Sequence, residues 1–105
     1  MQLLNDKIES LAKEQYKYGS NLEKQNVVAK FFNPVGNWDW YLMNMEDENY
    51  AWGIVDGEYV EMGSFSIKEL QDIELPFGLG IERDRLFRPT NAKKLWDKLK
   101  TKNNM

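Results

Sequence analysis

The chain has 105 residues and a net charge of −3, with 42% apolar, 13% aromatic and 30% charged residues. That is the size of one domain and the composition of a folded globular one rather than a disordered tail. It holds no cysteine and no histidine, which excludes disulfides, thiolate chemistry, the usual triad base and the commonest zinc ligand.

Leu4, Ile8 and Leu11 recur at helical spacing, with lysines and glutamates on the other face, and Gly19, Ser20 and Asn21 supply a stop. "VVAKFF" at 27–32 reads as a strand and "NPVGN" at 33–37 as a turn. "WDWYLMNM" at 38–45 is a second strand, with Trp38, Trp40 and Leu42 on one face and Asp39, Tyr41, Met43 and Met45 on the other. The polar turn "EDEN" leads to a third strand at 50–55, where Tyr50, Trp52 and Ile54 share a face. Asp56 and Gly57 mark a hairpin into a fourth strand, "EYVEMGSF". "SIKE" is a capping box that starts a short helix at Ser66. "LPFGLG" is a loop and "IERDRLF" at 81–87 a fifth strand. Thr90 is the expected N-cap of a last helix whose apolar stripe is Ala92, Leu95, Trp96 and Leu99, and "TKNNM" at its end is expected to fray. The expected fold is a single α+β domain over residues 1–105: an antiparallel meander of four to five strands with N-terminal, short middle and C-terminal helices packed on one face.

Four tryptophans in so small a chain point to core, with a helix laid across the face of Trp38, Trp40 and Trp52. A base-stacking platform needs basic surroundings, and here they are acidic. Charge is uneven: residues 36–74 carry ten acids against one lysine, and residues 82–105 eight basic residues against three acids. Alternating Glu82 and Asp84 could hold a divalent cation. Alternating charge on a strand is more often a set of cross-strand pairs, and Arg83 and Asp84 are read as structural. "GLG" at 78–80 lacks the lysine and the spacing of a phosphate loop. No nucleophile motif is present, so neither an enzyme nor a cofactor is expected. There is no apolar stretch of membrane-spanning length and no leader pattern, and a cytoplasmic protein is expected.

The succession "NPVGNWDWY", "WGIVDG", "EMGSFSIKEL" and "GLGIERDRLFRPT" resembles a family of small bacterial proteins of unknown function. Its pattern joins a W-x-W-Y strand, a G-x-V-x-G turn, an E-x-G-Y/S-F-S-x-x-E-L segment and a G-x-x-I-E-R-D-x-x-F-x-P segment. The resemblance spans about residues 33–90; the leading helix is more loosely similar and the last helix lies outside it. It implies an accessory role on phages, conjugative plasmids and integrated elements, often beside antirestriction genes, and it carries over no catalytic residue.

Two functions follow. One is a protein that binds a host nuclease complex of the restriction or CRISPR type, its acids occupying a basic nucleic-acid channel. The candidate contacts are the turn acids Glu46, Asp47 and Glu48 and the hairpin acids Asp56, Glu58 and Glu61, with the Tyr41, Met43 and Met45 face as a second patch. The other is an accessory that binds nucleic acid directly, through Arg83, Arg85, Arg88 and the lysines of the last helix.

Overall fold

A computed structural model describes residues 2–103. In chain order it contains α1 (Asp6–Glu14), a 3₁₀ turn at Tyr16–Tyr18, β1 (Asn26–Val27), β2 (Ala29–Phe32), β3 (Asp39–Asp47), β4 (Tyr50–Asp56) and β5 (Val60–Phe65). It continues with α2 (Ile67–Asp72), a 3₁₀ turn at Pro76–Gly78, β6 (Glu82–Arg83), β7 (Thr90–Asn91) and α3 (Ala92–Asn103). The main sheet is antiparallel with strand order β5-β4-β3-β2-β6, and β1 pairs with β7 in a small second sheet. This is the expected α+β meander with helices on the sheet. Among the described residues no helix is long and apolar enough to cross a membrane.

The helices cover both faces of the sheet, not one. Leu3, Leu4 and Ala12 at the start of the chain and Ile67 and Leu70 of α2 pack with Phe31, Leu42, Met45 and Ala51. On the opposite face, Ala92 and Leu99 of α3 pack with Tyr41, Met43, Ile54 and Val60. A strand buried on both sides leaves no alternate residue for solvent, and residues Tyr41 to Met45 are all buried. Tyr41, Met43 and Met45 are therefore core, not a partner-binding face, and Met45 does not share the face of Tyr41 and Met43. The β3–β4 register slips between Leu42 and Asn44, so Met43 is an extra residue opposite the Gly53–Trp52 step. Such a bulge reverses the alternation beyond it, which sends Met43 to the α3 side and Met45 to the α1 side.

The pairing of Tyr41 with Ile54 and of Trp40 with Val55 divides the tryptophans. Trp40 packs half-buried on the α1 side, while Trp52 and Trp96 pack on the α3 side. Trp38 is 44% exposed; its ring leans on Trp40, 6.1 Å between centroids, and lies over Gly57, where an added Cβ would meet it at 2.6 Å. Trp40, Trp52 and Trp96 are thus core residues as expected, and Trp38 is the exception.

Local signals mostly hold. Asn5 caps α1 by accepting from the Ile8 N–H at 2.8 Å, and the Ser66 hydroxyl caps α2 by accepting from the Glu69 N–H at 3.1 Å. The cap of α3 is Asn91, whose side chain accepts from the Lys94 N–H at 3.1 Å; Thr90 is instead paired with Val27 in the small sheet. The last helix runs to Asn103, so 101–103 are helical and the rest of the end expected to fray lies outside the described residues. The "LPFGLG" loop holds Phe77 in the left-handed region, φ 64, with the ring 93% exposed.

Burial pushes the Tyr41 phenol up to about 12, helped by the nearby carboxylates of Asp39, Asp56 and Asp84. In the unfolded chain it ionises near 10. The neutral phenol thus favours the fold fully below pH 10, and that contribution is lost as pH rises from 10 through 12. A Tyr41→Phe variant is expected to lack this part of the alkaline fall in stability, on the order of 2 kcal/mol. Urea melts of both proteins at pH 8, 10 and 11.5 measure it; parallel losses would show that Tyr41 is not the titrating group.

Candidate functional site

In a meander, successive hairpins sit at opposite ends of the strands, so β4 separates the two groups of acids. Its length of about 20 Å follows from its seven residues at about 3.3 Å each. The β3–β4 tip carries Glu46, Asp47 and Glu48, all exposed. The β4–β5 end carries Asp56 and Glu58, with Glu61 just inside β5. The six acids do not form one patch.

The second end also carries a like-charge pair. Asp56 faces Asp39 directly across β3 and β4, and like charges directly opposite are destabilising. Burial holds the Asp39 carboxyl above its ordinary range, partly offset by Lys30. The Lys30 ammonium lies 4.0 Å from Asp39 and 5.7 Å from the Tyr41 ring centroid.

The β3–β4 tip is different. The Asp47 carboxylate accepts from the Asn49 and Tyr50 N–H groups at 2.8 and 3.1 Å, so it builds the turn. Glu46 and Glu48 remain as outward charges. Beside them Tyr16 and Tyr50 stand edge to face, 6.4 Å between centroids, 43% and 40% exposed. The Tyr16 hydroxyl donates to Glu46 at 3.5 Å, and the Glu46 charge holds that phenol above its ordinary range. Two half-exposed tyrosines thus lie beside two exposed carboxylates, one of which accepts from Tyr16. Strand alternation placed Tyr50 with the core residues Trp52 and Ile54. Tyr50 keeps that side, lining one cleft with Trp52, but as the first residue of β4 it stands at the tip and is 40% exposed. Tyr16 carries no pattern in the sequence; the 3₁₀ turn after α1 brings it there.

The "IERDR" string forms no long strand. Only Glu82 and Arg83 pair with β2. Asp84 then turns the chain by accepting from the Leu86 N–H at 2.9 Å. Among the described residues no group of three acidic side chains could hold a metal ion. Arg83 does not pair with Asp84. Its Nη1 donates to the Leu3 carbonyl at 2.7 Å, and the Leu3 N–H donates to Gln71 Oε1 at 2.9 Å. The fully buried Leu3 is thus held at both backbone groups. Arg83→Ala is expected to cost about 1.5–3 kcal/mol, the value of a charged hydrogen bond. Arg83→Lys, which keeps a donor, should recover part of it; unchanged melting in Arg83→Ala would show that the clamp carries no stability.

The fold defines a small α+β protein built around an antiparallel sheet covered on both faces. The chain belongs to the family described as protein of unknown function (DUF2958), whose pattern matches residues 3–105. The match thus includes the first and last helices, beyond the 33–90 span of the motifs. No curated protein and no solved structure matches the chain.

Proposed function

We propose that the protein acts by binding a protein partner, without catalysis, through the β3–β4 tip. The partner class is a basic nucleic-acid groove on a host defence nuclease of the restriction or CRISPR type, and the bearer is a phage, plasmid or integrated element. The observation that carries the reading is the tip itself: Glu46 and Glu48 project beside the half-exposed Tyr16–Tyr50 pair. Carboxylates stand in for phosphates in a basic groove, and tyrosines supply rigid contact area at low entropic cost. The site of action is then the cytoplasm of the host cell.

A second reading, direct binding of nucleic acid, draws on α3. Lys93 is bridged to Asp97 at 2.8 Å and Lys100 lies 4.7 Å from the Trp96 ring centroid. Lys94, Lys98 and Lys102 are exposed on the outer side of that helix. Capture from a host lysate at low and high salt separates the two. The first reading expects one nuclease component, retained at low salt and lost at high salt. A salt-sensitive gel shift with plain duplex DNA, and no protein captured, would replace it with the second.

A further inference from the structure

The first turns of α1 and the stretch after β6 enclose an open cleft of about 370 Å³, within the size range of small-ligand sites. It lies far in sequence and apart in lining from the acidic tip; no tip residue borders it. Its charged residues are Lys7, Arg83, Arg85 and Asp84, and its floor includes Ile8, Leu11, Val28 and Phe87.

The charges are unevenly committed. The ion pairs found among the described residues are Lys13–Glu9, Lys30–Asp39, Lys68–Asp72 and Lys93–Asp97; none includes Lys7, Arg83 or Arg85. Arg83 gives Nη1 to Leu3, which leaves the rest of its planar fork of donors. The single carboxylate of the lining, Asp84, is already bonded to its own turn. Three cations from two separate elements therefore converge over an apolar floor, with one carboxylate facing them.

We propose that this cleft binds a small organic anion: a phosphate or carboxylate head held by Arg85, Lys7 and the free edge of Arg83, with an apolar body against Ile8, Leu11 and Phe87. Guanidinium forks match both head groups bidentately. An extended nucleic acid would need a basic track running on from the cleft, and no lysine of α3 lines it.

Phenyl phosphate, benzoate and inorganic phosphate serve as probes, titrated into the isotopically labelled full chain and followed by amide chemical shifts. Phenyl phosphate or benzoate is expected to move the signals of Lys7, Ile8, Arg85 and Phe87 and to bind more tightly than inorganic phosphate. Which of the two binds better assigns the head group. Arg85→Ala and Lys7→Ala, both at exposed positions, should each weaken binding about tenfold, the loss of roughly one charged contact. Lys98→Ala on α3 should leave it unchanged. Shifts spread over all lysines, equal binding by the Arg85→Ala variant, or no shifts at millimolar probe would overturn the proposal.

Discussion

Gly53→Ala is expected to destabilise the protein by more than about 3 kcal/mol, the range of severe overpacking. A Cβ at this position would overlap the Tyr41 carbonyl oxygen and lie 3.0 Å from its carbonyl carbon and 3.3 Å from the Met43 nitrogen. All three are backbone atoms of β3, so no side chain can swing aside. β3 is paired on both sides, with β2 and β4, and cannot retreat without breaking a ladder. A domain of this size has about 5–15 kcal/mol to lose, so the variant should melt far below the parent or fail to fold. Gly63→Ala is the control. That glycine sits in the edge strand β5 with nothing within 4 Å of an added Cβ. Its replacement should be neutral or stabilising by about 0.5–1 kcal/mol through reduced chain entropy. Thermal and urea melts of both variants check the pair of expectations. Equal stability of Gly53→Ala and Gly63→Ala would mean that β3 and β4 do not approach as closely as the bulge at Met43 requires.

Reversing Glu46 and Glu48 to lysine is expected to slow association with the captured partner about 10- to 100-fold at low salt, within the range of electrostatic steering. Two reversals change the charge of the tip by four units, and both side chains are exposed. The difference should shrink at high ionic strength, as the screening length falls from about 10 Å at 0.1 M to about 3 Å at 1 M. Asp47 is left in place because its carboxylate holds the turn; reversing it would confuse a loss of charge with a loss of structure. Tyr50→Ala should instead speed dissociation, since a half-buried aromatic contact acts after encounter. Surface capture at two salt concentrations, with melting curves for every variant, resolves the rates. Association indifferent to both salt and reversal would remove electrostatic mimicry and leave the aromatic pair as the contact.

Much of the fold was legible from local patterns, because local rules act within a few residues. Ser66 is a cap wherever the chain goes next, since its hydroxyl needs only the Glu69 amide three residues on. The alternation of 38–45, the Asp-Gly hairpin and the amphipathic ends gave the order of strands and helices in the same way. What the chain alone could not disclose was which faces those elements would share. A single extra residue at Met43 inverts the alternation of the rest of β3, and no residue type announces a bulge. It put Met45 in the opposite core from Met43, while the pairing of Tyr41 with Ile54 set Trp52 on the other face from Trp40. The charged string at 81–85 is cut short as a strand by its own side chain: the Asp84 N–H still donates to the Lys30 carbonyl of β2, but the Asp84 carboxylate accepts from the Leu86 N–H and turns the chain away. The candidate sites belong wholly to the tertiary level. Tyr16 reaches Glu46 across 30 residues, and Lys7 shares a cleft with Arg85 from the other end of the chain. Composition alone excluded histidine and cysteine chemistry, because absent side chains need no structure to be ruled out; where the remaining charges meet depends on strand order, and only packing decides that.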